Sequence, residues 1–207
     1  MQTGRRVANL LRLIRHRREC LDMLDSMAAG ICTNSSKIKV DMGTISDEER
    51  SFLTELIRES AAEPGPIVEI GTLFGFTTTE MALAKAPARS LIAVDLFAWN
   101  PWGLTPTEHR RLTERILRTP VELLNVKLVA SSKDAFYKSY DGPPPSLVFL
   151  DAIHTYDETK KDIEWALSAG CRFIAGHDYS SEFPGVFQAV NEYGTPELRG
   201  TVWLLRR

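Results

Sequence analysis

The chain has 207 residues, with 43% hydrophobic residues and a formal net charge of −2 from 25 Lys and Arg against 27 Asp and Glu. Those figures describe one domain of ordinary size, or one domain with a short extension, and they exclude global disorder and a generally basic nucleic-acid binder. Cys20, Cys32 and Cys171 form no disulfide framework or zinc ribbon, no apolar run approaches the roughly 20 residues of a membrane span, and no signal peptide is read, so a reducing, cytoplasmic location is expected.

Residues 3–28 carry Val7, Leu10, Leu11, Ile14, Leu21 and Leu24 at helical spacing, with Arg5, Arg6, Arg12, Arg15, Arg17 and Arg18 opposite. The spacing predicts an amphipathic helix whose basic face is solvated, or meets an anionic partner or a second copy of the chain. Residues 30–44 read as a connector, which divides the chain into a helical extension over 1–45 and a domain over 46–207. Ser46 with Glu49 three residues on is a capping box. It opens a helix to about residue 60 with Phe52, Leu53, Leu56 and Ile57 inward.

Beyond Pro64-Gly65, short apolar runs alternate with helical stretches. Strands are predicted at 67–70, 91–94, 126–129, 147–150, 171–175 and 201–205. Helices are predicted at 77–86, 107–118, 157–169 and 186–193. Apolar strands without alternation are buried on both faces, so the fold class is α/β: a doubly wound, mostly parallel single sheet covered by helices.

Ligands of such sheets bind at the C-terminal ends of the strands. Four of the five places to search carry an acid or a histidine: 69–75, Asp95, 151–154 and 176–179. The first holds Glu69, Gly71 and Gly75 in a strand-to-helix turn, where Gly71 allows close approach to a ligand. A dinucleotide fingerprint starting at Gly71 would need glycines where Leu73 and Phe76 stand, so a pyrophosphate has no obvious cradle. Asp95 can accept the two hydroxyls of a ribose, or cap a helix. Asp151 ends an apolar run and His154 follows, suited to taking a proton from a hydroxyl or to ordering its surroundings. Asp178 is expected on the strand end beside Asp151. Two carboxylates held close either share a cation or need hydrogen bonds instead. All-oxygen ligands would favour Mg2+; His177 as a ligand would favour Mn2+, Fe2+ or Zn2+.

The ordered set Glu69-x-Gly71-x-x-x-Gly75, Asp95, Asp151-x-x-His154-x-Tyr156 and Gly176-His177-Asp178-Tyr179 resembles class I S-adenosylmethionine-dependent methyltransferases. Within them it looks like the branch that groups macrocin-type sugar O-methyltransferases with cephalosporin hydroxylase-like proteins. The resemblance covers residue 42 to the C-terminus and implies a seven-stranded, Rossmann-like sheet. It implies that Glu69, Gly71, Thr72 and Gly75 hold the methionine part and ribose of S-adenosylmethionine. Asp95, followed by Leu96, would bind the ribose hydroxyls, and Ser131 and Ser132 would lie beside the adenine. Asp151 would border the cofactor and serve the reaction, with His154 as general base and a small-molecule hydroxyl as acceptor. In metal-dependent relatives the acid matching Asp151 and two adjacent acids bind Mg2+. Here His177 replaces one of those acids, leaving Asp151, His177 and Asp178 as candidate ligands.

Phe97, Trp99 and Trp102 lie on a loop after Asp95 and either form a lid against the sulfonium or acceptor, or simply pack. Two other functions compete. A metal-dependent oxygenase would use His154, His177 and Asp178 as its facial triad, but leaves the 69–75 motif unexplained. A non-catalytic binding or assembly module would use the Arg-rich helix as its partner surface.

Overall fold

The computed structural model describes residues 45–207. The expected helix over 3–28, the connector, Cys20, Cys32 and the domain boundary at 45 lie outside or at the edge of the described residues. The helix α1 (Asp47–Glu59) opens on the predicted capping box, with the Ser46 N–H donating to Glu49 Oε2 at 2.8 Å and the Glu49 N–H donating to Ser46 Oγ at 3.3 Å. There follow β1 (Ile67–Ile70), α2 (Phe76–Ala84), β2 (Leu91–Asp95), α3 (Pro106–Ile116), α4 (Arg118–Leu123), β3 (Val126–Ala130) and α5 (Lys133–Ser139). The chain ends with β4 (Leu147–Leu150), α6 (Tyr156–Ser168), β5 (Phe173–Gly176), α7 (Pro184–Asn191), β6 (Glu197–Arg199) and β7 (Val202–Arg206).

Among the described residues the strands form one seven-stranded sheet in the order β3-β2-β1-β4-β5-β7-β6. β1 to β5 are mutually parallel, whereas β7 runs antiparallel to both β5 and β6. The chain winds outward from β1 to β3, then returns to β4 on the other side of β1. That reversal creates the switch point where ligands of such sheets collect.

Alternation along each strand divides the core into two layers. Ile67, Leu147, Phe149, Ala175 and Leu204 pack with Phe52, Leu53, Leu56 and Ile57 of α1 and Met81 of α2. Val68, Val148, Leu150, Ile174 and Trp203 pack with Phe136 of α5, Ile163 of α6 and Val186 and Val190 of α7. Both faces being covered explains why β1 and β4 read as continuous apolar runs, broken only by Glu69.

Several element ends differ from the sequence expectation. The helix expected over 107–118 is instead α3 and α4, with Leu117 between them. Pro120 has no N–H to give the Ile116 carbonyl, so the ladder is interrupted there. The strand expected from Cys171 starts at Phe173. Gly170 N–H donates to Leu167 O and Cys171 N–H to Ala166 O, which closes the end of α6 with those residues. The short helix α5 and the strand β6 have no counterpart among the expected elements: α5 is about two turns opened by Ser132, and β6 is exposed at all three residues and so carries no apolar signal. No helix among the described residues is long and apolar enough to cross a membrane.

Phe149 is fully buried in β4 at the centre of the sheet. Phe149→Ala is expected to cost about 3–5 kcal/mol through lost burial and a cavity. Chemical denaturation checks this: the midpoint should fall with the slope unchanged.

Candidate active site

The C-terminal ends of β1 and β2 build the first half of the site. Alternation turns Glu69 toward α2, where its Oε2 accepts the hydroxyls of Thr78 at 2.5 Å and Thr72 at 3.4 Å. Its Oε1 is buried without a partner. Burial, helped by Asp151 and Asp95, pushes the Glu69 carboxyl up to about 8 against the Thr78 and Thr72 hydrogen bonds. Gly71 has φ 94, and a side chain there would overlap the Asp151 carbonyl, so glycine is what lets the β1 and β4 ends come together. Gly75 caps the start of α2.

Asp95 draws these pieces into one unit. Its Oδ2 accepts the N–H groups of Thr72 and Leu73, each at 2.8 Å, and its Oδ1 accepts the Phe97 N–H at 2.6 Å. A carboxylate has about four acceptor positions, so hydroxyls of a ligand would share it with the loops it ties. The loop is braced from behind by α3: His109 Nε2–H donates to Leu73 O at 2.8 Å and the Thr113 hydroxyl donates to the same oxygen at 2.7 Å. His109 is completely buried, its ring edge-on to Phe74 and Phe97. Sequence reading missed it, because a histidine within a charged helical stretch gives no sign of facing inward.

The expected aromatic lid divides. Trp102 is 1% exposed and stacks on Phe74 at 4.3 Å, and Phe97 is buried, so both belong to packing under the loop. Trp99 is 71% exposed, and Leu96 is exposed beside it. The Ser131 N–H donates to Asp95 O, and Ser132 caps α5 through its side chain. The candidate cofactor residues from β1, β2 and β3 therefore gather around one edge of the sheet.

The ends of β4 and β5 build the second half. Leu150 pairs with Gly176, so Asp151 and His177 leave the sheet side by side, and the His177 N–H donates to Leu150 O. Ligand atoms of Asp151, His177 and Asp178 all lie within 4.8 Å of one another. His154 Nε2 sits 3.3 Å from Asp151 Oδ1 and 3.2 Å from Asp178 Oδ2, with the Phe183 ring 4.7 Å from its own. His177 Nδ1 is 3.4 Å from Asp178 Oδ1 and 3.9 Å from Asp151 Oδ1.

The charges respond to this packing. Burial disfavours the charged form of His177, but Glu49, Asp151 and Asp178 outweigh it and bring the imidazole up to about 9. Burial likewise acts against His154, which Asp151 and then Asp178 raise above its ordinary value. Asp178 is raised by burial, with Asp151 and Glu49 adding and the two histidines opposing. Glu49 was read from sequence only as a helix cap. Its second oxygen faces His177 Nε2 at 3.5 Å, a contact across the chain that no local pattern reveals.

The donor sets fit the expected groups. Glu69 has an unpaired buried oxygen and Asp95 a partly used carboxylate, as suits a ligand that brings an ammonium and a sugar diol. Two carboxylates and an imidazole suit a divalent cation, and the set that converges is Asp151, His177 and Asp178.

A family model described as a methyltransferase domain matches residues 68–179, more than half of the chain. The chain belongs to this methyltransferase family. Solved structures carry the same fold. Cofactor-bound Rv0187 from MTB superposes with a TM-score of 0.63 at 18% identity, over 92% of this chain and 90% of that one. The O-methyltransferase from Bacillus cereus in complex with SAH gives a TM-score of 0.61 at 14% identity, over 88% and 91%. CalS11, a TDP-rhamnose 3′-O-methyltransferase in calicheamicin biosynthesis, gives 0.56 at 15% identity, over 90% and 93%. No curated protein sequence matches the chain. The fold is that of the class I S-adenosylmethionine-dependent methyltransferases, and the matched segment runs from β1 through the loop after β5, spanning both halves of the site.

Because Glu69 is raised from 4.5 to about 8 on folding, its neutral form is favoured in the folded methyltransferase. The stability it contributes is complete below about pH 4.5 and is lost as pH rises through about 8. Glu69→Gln is expected to remove a slope of up to roughly 1.4 kcal/mol per pH unit over that window. Denaturant unfolding of both proteins across the window checks it; parallel curves would contradict it.

Proposed function

We propose that this methyltransferase acts on oxygen. It moves the methyl group of S-adenosylmethionine to a hydroxyl of a small-molecule acceptor, with His154 as proton acceptor and a divalent cation at Asp151, His177 and Asp178. The observation that carries this reading is the meeting of those four side chains at the adjoining ends of β4 and β5, next to the loop held by Asp95. The sulfonium supplies a good leaving group, so the protein's task is mainly to position the acceptor. A divalent cation, when bound, supplies polarisation that acidifies the acceptor hydroxyl.

The chain's own residues do the rest. Glu69 and Asp95 hold the donor at the ends of β1 and β2. Exposed Leu96 and Trp99 after β2, and exposed Ile153 after β4, offer apolar surface to an acceptor at the same edge. His154 takes the hydroxyl proton on Nδ1, the ring nitrogen that the two carboxylates do not occupy, as the oxygen gains the methyl group. Asp151 and Asp178 hold the imidazole from one side, Phe183 packs on its ring, and the resulting imidazolium is stabilised by both carboxylates. Oxygen methylation is the activity named for the proteins from Bacillus cereus and calicheamicin biosynthesis that share this fold, and the latter acts on a sugar hydroxyl.

His154→Ala is expected to lower methyl transfer about 10²–10⁴-fold, the usual contribution of a positioned acid or base, while leaving S-adenosylhomocysteine affinity unchanged. The check is radiolabelled methyl transfer to a panel of phenols, sugars and glycosides, with calorimetry on the same samples. Transfer to nitrogen alone, or undiminished transfer by His154→Ala, would overturn the reading.

A further inference from the structure

The contacts of Glu49 go beyond those of a helix cap. Its Oε2 receives the Ser46 N–H. Its Oε1 receives both the Thr201 N–H at 2.7 Å and the Thr201 hydroxyl at 2.8 Å, from the turn between β6 and β7. The residue is 6% exposed, so donors from two distant pieces of chain fix a buried carboxylate. Gly200, at φ 59, allows the turn to close: a Cβ there would stand 2.6 Å from Glu49 Oε1. The same hairpin holds the loop after β5, because Tyr179 N–H donates to Thr201 O and Trp203 Nε1–H donates to His177 O.

His177 therefore lies between two sets of acids on its two ring nitrogens. Nε2 faces Glu49 Oε1 at 3.5 Å, and Nδ1 faces Asp178 and Asp151. Both nitrogens face a carboxylate, Nδ1 at 3.4 Å and Nε2 at 3.5 Å; a cation taken up by Asp151 and Asp178 would displace the proton of Nδ1, while Glu49 keeps the one on Nε2, as orienting partners do for metal-binding histidines. We propose that Glu49 is a positioning residue for the cation site: it holds the proton on His177 Nε2, presents Nδ1 as a ligand beside Asp151 and Asp178, and so makes the site select Mn2+, Fe2+, Co2+ or Zn2+ over Mg2+. The selectivity follows from chemistry, since imidazole binds those ions far better than it binds Mg2+. This inference rests on the cation reading above and adds which nitrogen binds, what orients it and which ions it favours.

The test is calorimetric titration of the full chain, with S-adenosylhomocysteine present, using Mn2+ and Mg2+. The proteins are wild type, Glu49→Gln, His177→Asp and the double variant. Glutamine keeps the size of Glu49 and one of its two acceptor oxygens. Wild type should bind Mn2+ at least tenfold more tightly than Mg2+, as a nitrogen ligand implies. Glu49→Gln should weaken Mn2+ about 10–100-fold, the usual effect of losing an orienting partner. Mg2+ should change little, and S-adenosylhomocysteine affinity should not change. In the His177→Asp background Glu49→Gln should no longer weaken Mn2+, because its route of action is gone; a merely structural role would weaken both backgrounds alike. If Glu49→Gln fails to bind S-adenosylhomocysteine, Thr201→Val decides instead: it frees the carboxylate from one donor and should weaken Mn2+ in wild type but not in His177→Asp. Unchanged Mn2+ affinity in Glu49→Gln, equal losses in both backgrounds, or a wild-type preference for Mg2+ would overturn the inference alone. Wild type that binds S-adenosylhomocysteine but no divalent ion would overturn the cation reading together with it.

Discussion

Asp151 and Asp178 are held at the ends of adjoining parallel strands, and two half-buried carboxylates that close repel each other unless positive charge is placed between or around them. The register fixes them there: Leu150 pairs with Gly176, so the next residues leave the sheet together. His154 answers the repulsion from one side and His177 from the other. The raised titration of both imidazoles and of Asp178 expresses the same constraint. A cluster in this state is poised for proton exchange or for a cation, and the proposed transfer to a hydroxyl would use either.

The other half of the site follows a different rule. Its acid, Asp95, is surrounded by backbone N–H groups rather than by cations, and it uses them to bind the loop after β1 to the turn after β2. Leu73 and Phe97 take positive φ there, which costs energy that Asp95 and the aromatic packing behind the loop offset. His109, Thr113, Phe74 and Trp102 form that backing. The half at β1 and β2 is thus tied by backbone hydrogen bonds, while the half at β4 and β5 is held by charge.

Much of this was legible in the sequence because burial leaves a strong mark. β1, β2 and β4 read as strands, since a sheet covered on both faces tolerates little but apolar residues. Glu69, Asp95 and Asp151 stood out because an acid within or at the end of such a run is costly without a purpose. The cap of α1 was visible as Ser46 and Glu49. What escaped was long-range. β6 lies exposed at the sheet edge and pairs within the sheet only with β7, so no apolar pattern marks it. The burial of Trp102 depends on Phe74 nearly thirty residues earlier. Glu49 looked fully employed as a cap, and only the fold brings Thr201 and His177 to its other oxygen.

The account stands on one claim above others, that the edge formed by β1 and β2 is a cofactor site with Asp95 at its centre. Calorimetric titration of S-adenosylhomocysteine into wild type and Asp95→Asn tests it most directly. Asparagine keeps an oxygen for the loop N–H groups but loses the charge that strengthens hydrogen bonds to a diol, each such bond being worth about 1.5–3 kcal/mol. The account predicts saturable binding to wild type and at least roughly tenfold weaker binding to Asp95→Asn. Equal affinity for the two proteins, or no binding to wild type, would contradict it.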